Sequence, residues 1–272
     1  MVRIALYQAT TGIDPAVNAD ALIEAAGEAA SGGAAMLFTP EMSNLLDRDR
    51  DRSGLHLKSE NEDETVARLC EAAERNGLWI ALGSFAFANG DDSRANRALV
   101  IDPAGKIRAR YDKIHMFDVD LADGESWRES NVYRAGDALA VVDGTPLGRL
   151  GLAICYDIRF PALFDALGRA RCDAIAIPAA FTVPTGTAHW HVLQRARAIE
   201  ASAFVIAAGQ VGDHEDGRRT FGHSLVVDPW GEVLLDMGGE RSGVGFADID
   251  LARIDEVRAQ VPSLANRRAI AG

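Results

Sequence analysis

The sequence predicts an α/β protein in which two mixed sheets pack face to face with helices outside them, a four-layer α-β-β-α sandwich with an internal pseudo-twofold duplication. Three observations carry that reading. Short apolar runs of strand length alternate with longer stretches of helical period. The same order of elements returns after Arg149. One turn then recurs almost residue for residue, Ala98-Leu99-Val100-Ile101-Asp102-Pro103-Ala104-Gly105 against Ser224-Leu225-Val226-Val227-Asp228-Pro229-Trp230-Gly231. At 272 residues and 48% hydrophobic content the chain can bury a large core, and length alone suits one large domain or two small ones. The internal echo favours one domain over residues 1–272.

In chain order, Ile4 to Ala9 reads as a buried strand, and Asp14-Pro15 offers an N-cap and a first-turn proline for a helix that Ser31-Gly32-Gly33 ends. Ala35 to Thr39 is a short strand running straight into Pro40-Glu41. Thr65 to Arg75 has helical period with Asn76-Gly77 as its stop, and Leu78 to Phe87 is a strand. Arg97 to Ile101 and Lys106 to Tyr111 flank the first Asp-Pro-x-Gly turn as a hairpin. Ile114 to Ala140 has little period; long loops in compact domains are usually functional, and Phe117, Trp127 and Tyr133 give this one something to pack. The second half then supplies a strand at Leu150 to Ile154, a helix at Pro161 to Ala170, a strand at Ala174 to Ile177, a helix at His189 to Ala203, a strand at Phe204 to Gln210 and a second hairpin.

A net charge of −12 argues against nucleic acid or an anionic membrane as partner and points to a small molecule or another protein. Three cysteines without a CxxC pair build neither a disulfide framework nor a zinc finger, and fit a reducing cytosol. No segment approaches the ~20 apolar residues of a bilayer span, and Met1 to Thr10 lacks the pattern of a signal peptide. No ligand spacing or phosphate-binding glycine motif is present, so neither metal nor organic cofactor is expected.

Cys155 stands between a strand end and a helix opened by Pro161, where a helix dipole and a nearby cation favour a nucleophilic thiolate. The backbone N–H of Tyr156 could hold a developing oxyanion. Cys70 and Cys172 read as structural thiols. Glu41 also leaves the end of a buried strand, so both groups are expected in one crevice, with burial raising the glutamate pKa toward neutrality as a general base requires. Lys113, in Tyr111-Asp112-Lys113-Ile114-His115, could stabilise thiolate and oxyanion, though a lysine taken alone is usually solvated. His189 and His191 face different ways on a helix, and His56, His214 and His223 read as surface or packing residues. His115 is kept as a supporting group and a candidate substrate contact. Arg159 could grip a substrate carboxylate or pair with Asp157, and Phe117 and Thr182 are candidate pocket residues.

Three ordered segments carry a resemblance: Phe38-Thr39-Pro40-Glu41-Met42, Tyr111-Asp112-Lys113-Ile114-His115, and Gly151-Leu152-Ala153-Ile154-Cys155-Tyr156-Asp157-Ile158-Arg159-Phe160-Pro161. Together they resemble the glutamate, lysine and cysteine motifs of the nitrilase superfamily of carbon-nitrogen hydrolases, over essentially the whole chain. The resemblance implies a Glu41-Lys113-Cys155 triad, Glu129 as a fourth site residue that positions lysine and substrate, and a homodimer or larger assembly whose C-terminal tail to Gly272 helps pack subunits. It implies hydrolysis of the amide of a small acidic molecule through a Cys155 thioester, releasing ammonia. Thr185-Gly186-Thr187-Ala188-His189-Trp190 is similar to the branch of deaminated glutathione amidase and omega-amidase, and Ala207-Ala208-Gly209-Gln210, with Phe221-Gly222-His223-Ser224 and Asp228-Pro229-Trp230-Gly231, looks nearer to deaminated glutathione amidase, with omega-amidase as the alternative. A nitrilase or an N-carbamoyl amine hydrolase would share the triad. A catalytically silent, partner-binding member is the alternative from outside enzymology.

Overall fold

The computed structural model describes residues 1–120, 124 and 126–268. Strand β1 (Val2–Gln8) leads to helix α1 (Pro15–Ser31), opened by the Asp14 carboxylate accepting from the Ala16 amide with Pro15 in the first turn. After β2 (Met36–Phe38) come a short helix α2 (Arg50–Gly54) and α3 (Glu64–Asn76), whose first amides bond Asp63 and whose end is Gly77 at φ +60°, a conformation that favours glycine. β3 (Trp79–Ala88), β4 (Arg94–Ile101) and β5 (Ile107–Asp112) complete the first half.

The loop that follows holds a small hairpin, β6 (Asp118–Asp120) with β7 (Ser126–Arg128), and a 3-10 turn at Glu129–Asn131. Then come β8 (Val141–Thr145), β9 (Gly148–Leu152), a 3-10 turn at Cys155–Arg159, and α4 (Pro161–Arg169). Next are β10 (Ala174–Ala176), α5 (Val183–Ala201), β11 (Phe204–Ala207), and a second hairpin of β12 (Val211–Asp213) with β13 (Arg219–Phe221). β14 (Leu225–Val227), β15 (Val233–Asp236), β16 (Gly243–Ile249) and α6 (Ala252–Gln260) close the chain.

The two large sheets are ordered β16-β1-β2-β3-β4-β5 and β15-β14-β11-β10-β9-β8. In each, three parallel strands are flanked by one antiparallel strand on one side and two on the other. This is the duplication expected, and it reaches single hydrogen bonds. Asp102 Oδ1 accepts from the Ala104 and Lys106 amides, and Asp228 Oδ1 accepts from Trp230 and Glu232 in the same way. One core lies between the sheets, where Ile4, Phe38 and Val100 meet Leu150, Leu152 and Ile206. A second fills the space between the first sheet and helices α1 and α3 through Leu22, Ala26, Leu69, Leu37 and Ile80.

Several expectations change. Helix α5 begins at Val183, ahead of His189, because Thr182 and Pro184 start it; Gly186 hides the helical pattern but is needed there, since a Cβ would collide with the Phe221 ring. The strand after it stops at Ala207 rather than Gln210. Arg159 lies at the end of a 3-10 turn, not in the first turn of α4. β8, β16 and α6 were not anticipated. Asp123 and Glu125 of the polar loop, and the tail from 269 to Gly272, lie outside the described residues.

Candidate active site

Glu41 follows β2 of the first sheet and Cys155 follows β9 of the second, so the crevice expected at the carboxyl ends of strands is shared by both sheets. Packing fixes the approach. A Cβ on Gly83 would collide with the Thr39 and Pro40 carbonyl oxygens and with Pro178, so only glycine lets β3 lie against the segment leading to Glu41. On the cysteine side, the Cys155 amide donates to the Pro178 carbonyl at 2.8 Å. Cys155 has φ +47°, a strained conformation for a side-chain-bearing residue.

Asp157 holds that turn. Fully buried, it accepts from the Ile154 amide (2.9 Å) and the Tyr111 hydroxyl (2.7 Å) with Oδ2, and from the His115 amide (3.0 Å) with Oδ1. His115 Nδ1 lies 2.7 Å from the same Oδ1, and its ring stacks on Phe160 at 3.6 Å. His115 therefore supports the cysteine turn and does not line the cavity, contrary to a role in contacting substrate.

Lys113, 2% exposed, sits between two carboxylates. Its Nζ donates to Glu41 Oε1 at 2.8 Å and to Glu129 Oε2 at 2.9 Å. Asn96 Nδ2 bridges the same pair, at 3.0 Å from Glu41 and 3.1 Å from Glu129. Glu41 Oε2 accepts from the Ala180 amide at 2.9 Å, and Glu129 Oε2 from the Phe117 amide at 2.7 Å. Every oxygen of these two carboxylates is thus engaged, by Asn96 on β4, by Lys113 and Phe117 after β5, and by the Ala180 amide after β10 of the other sheet.

The charges settle the resting state. Burial alone would raise the Glu41 carboxyl, but the Lys113 ammonium and hydrogen bonds with Lys113, Cys155 and Asn96 outweigh it, holding the group below its ordinary range. The expected rise toward neutrality is therefore corrected: the site ion-pairs what burial would have protonated. Burial, and then the Glu41 charge, push the Cys155 thiol well up against the opposing pull of Lys113. Burial lowers the Lys113 ammonium, yet Glu129 and Glu41 more than reverse that. A neutral thiol rests beside an ionised glutamate and an ionised lysine, an arrangement suited to proton transfer from sulfur to carboxylate as a bond to carbon forms.

These groups line a cavity of about 410 Å³. Phe117, Glu129, Tyr156, Arg159 and Thr182 are in its wall, as are Trp127 and Tyr133 of the long loop. The Arg159 guanidinium lies over the rings of Tyr156 (5.8 Å) and Phe181 (5.4 Å), with Nη1 3.3 Å from His189 Nδ1. Among the described residues no carboxylate forms an ion pair with Arg159, which sets aside the pairing with Asp157. Arg50 and Arg94, also in the wall, are held by neutral oxygens of Arg128, Ser53 and Arg50. Arg48, Arg128, Arg218 and Arg219 in the same wall pair with aspartates, whereas Arg50, Arg94 and Arg159 have no carboxylate ion pair among the described residues, and these three favour an anionic group on the ligand.

Sequence reasoning missed Asn96, Asp157 and the Ala180 amide. Asp157 left a signal, an acid two residues after the nucleophile at a strand-to-helix turn, where a carboxylate commonly caps backbone amides. Asn96 left only a polar residue inside an otherwise apolar strand.

Residues 3–259 match the family model described as carbon-nitrogen hydrolase. The chain is 39% identical over 271 residues to deaminated glutathione amidase of Yersinia enterocolitica, covering 98% of this chain and 93% of that one. The C. elegans NitFhit crystal structure aligns with a TM-score of 0.89 at 35% identity, over 98% of this chain and 65% of that one. A mutant amidase from Nesterenkonia sp. AN1, carrying acrylamide added at its active site cysteine, aligns with a TM-score of 0.80 at 26% identity, over 96% and 98% of the two chains.

Proposed function

Because the chain belongs to the carbon-nitrogen hydrolase family and is an amidase-class enzyme, we propose that it hydrolyses deaminated glutathione, or a close carboxylate-bearing amide, through a thioester on Cys155. One observation carries the assignment of roles: Lys113 Nζ is hydrogen-bonded at once to Glu41 and Glu129 in the cavity that holds the Cys155 thiol.

In this reading Glu41 takes the thiol proton as Cys155 Sγ attacks the amide carbon. The oxyanion rests on the Lys113 ammonium and the Tyr156 backbone N–H. Glu129 and Asn96 keep Lys113 in place. The intermediate collapses as the nitrogen leaves with the proton from Glu41, and a thioester remains. Glu41, ionised again, takes a proton from water that attacks the thioester; the acid departs and sulfur regains its proton. Arg159 grips a substrate carboxylate, with Phe117 and Thr182 shaping the cavity beside it.

The leaving group follows from the substrate. A primary amide releases ammonia, but the scissile nitrogen of deaminated glutathione belongs to a peptide, so the amine that departs is that peptide. Ammonia release is therefore too narrow an expectation, and the assay must follow the acid. The purified chain is to be offered deaminated glutathione, alpha-ketoglutaramate and an N-carbamoyl amino acid, with kcat/KM measured for each. Deaminated glutathione should lead. A lead for alpha-ketoglutaramate would make the chain an omega-amidase. No turnover of any of them, or of a wider panel of small acidic amides, would end the enzymatic reading.

The three free cysteines suit a reducing cytosolic setting, and the chain acts as one domain over residues 1–272. It assembles as a homodimer or larger homo-oligomer; Val192 and Ile199, 67% and 49% exposed on α5 with the exposed Arg195 between them, are apolar side chains that a second copy would cover.

A further inference from the structure

Outside the reactive cavity, we propose that His191, His223 and Asp236 bind one divalent transition-metal ion of the zinc, cobalt or nickel class. The three residues come from α5, the segment after β13, and the end of β15. Their ligand atoms all lie within 4.8 Å of one another. His191 Nε2 is 2.9 Å from Asp236 Oδ2, and His223 Nδ1 is 2.9 Å from Oδ1. Two imidazoles and one carboxylate are a donor set that suits these ions. All three side chains are about one-third exposed, so an ion can reach them and keep water in its remaining positions.

The surroundings orient the donors. Asp236 Oδ1 accepts from the Gly238 amide at 2.9 Å, and the His223 amide donates back to the Gly238 carbonyl at 2.8 Å. The His223 ring stacks on Phe221 at 4.4 Å, and His191 meets the His223 ring edge-on at 5.1 Å. His223 has φ +53°, a backbone state that histidine seldom adopts, and keeps it beside Gly222 at φ +71°. Without an ion, the imidazole N–H groups donate to the Asp236 carboxylate. An ion entering between them needs each imidazole neutral, with its proton on the other ring nitrogen.

The ion would act as a clamp on one wall of the cavity. The His223 carbonyl accepts from Trp190 Nε1 on α5 at 2.8 Å. The Phe221 amide donates to the Phe181 carbonyl at 2.9 Å, and Thr182 bridges to Thr220. Phe181, Thr182 and Thr220 all line the cavity. The clamp takes no part in the thioester chemistry and does not depend on the substrate proposed above.

The test uses the full chain stripped with a chelator, titrated with zinc chloride by calorimetry and with cobalt chloride by visible absorption. One equivalent should bind with a Kd of ~10 µM or tighter. Affinity should fall about a hundredfold or more in His191→Gln and in His223→Asn, which keep hydrogen-bonding groups at helical and left-handed positions respectively. Cys155→Ser should bind as the wild type does, without the intense near-ultraviolet band of a thiolate ligand on cobalt. Circular dichroism of the metal-free variants controls for folding, and the two variants perturb different elements. The proposal is overturned if no saturable equivalent binds, if both variants retain wild-type affinity, or if Cys155→Ser abolishes binding.

Discussion

Cys155 is protonated at rest because burial and the neighbouring Glu41 charge oppose its ionisation more than Lys113 favours it. Alkylation by iodoacetamide should therefore be slow near neutrality and rise with pH above the ordinary thiol range. Glu41→Gln removes a negative charge that raises the thiol pKa and leaves Lys113, which lowers it. The alkylation profile of that variant should move to lower pH while turnover falls by about a thousandfold or more. Coincident profiles would mean that Glu41 is not what keeps the proton on sulfur. Asp157 poses a separate question, since it touches no reacting atom but accepts from Ile154, Tyr111 and His115 from a fully buried position. Asp157→Asn sets an amide NH2 donor against groups that themselves donate and should cost about 1–3 kcal/mol of stability. Its kcat should fall with KM little changed, because the cysteine turn and not the substrate contacts would move. Urea unfolding and steady-state kinetics on the same preparation check both parts.

Close approach decides what the elements can do. Gly83 lets β3 meet the Thr39-Pro40 backbone and Pro178, which lead to Glu41 in one half and to the Ala180 amide in the other. Gly83→Ala should therefore lower the melting temperature and activity together, whereas Gly27→Ala on α1, where a Cβ meets nothing, should leave both intact or raise stability slightly. Comparable melting shifts in the two variants would refute the packing argument. The long, well-capped elements were legible from sequence: α1 from Asp14-Pro15, α3 from Asn76-Gly77, and both Asp-Pro-x-Gly hairpins. What escaped was tertiary. β16 lacks a strong apolar run, being Gly243 to Ile249, and becomes a strand by pairing with β1 in the register Val2↔Ile249 to Gln8↔Gly243. Helix α5 was read short because a glycine required by Phe221 interrupts its pattern. In the site, Glu41, Lys113 and Cys155 could be named from strand ends and motif order, but the direction of the glutamate shift could not. It depends on Lys113 and Asn96 converging from strands distant in sequence.

At the scale of the molecule, the proposed assembly through Val192 and Ile199 on α5 has its own test. Ile199→Glu, or Val192→Glu with it, should shift sedimentation from oligomer toward monomer while leaving circular dichroism unchanged; an unaltered sedimentation coefficient would place the interface elsewhere. The duplicated architecture has a further consequence. Glu41, Lys113, Asn96 and Glu129 come from the N-terminal part of the chain, while Cys155 and the Ala180 amide come from the C-terminal part, which also provides the edge strand β16 beside β1. A fragment ending near Gly136 would carry the base without the nucleophile and expose β1 along its edge. Its complement would carry the nucleophile and the missing strand. Co-expressed, the two pieces are expected to act as a self-reporting complementation pair, in which recovered turnover would measure how well one half recognises the other.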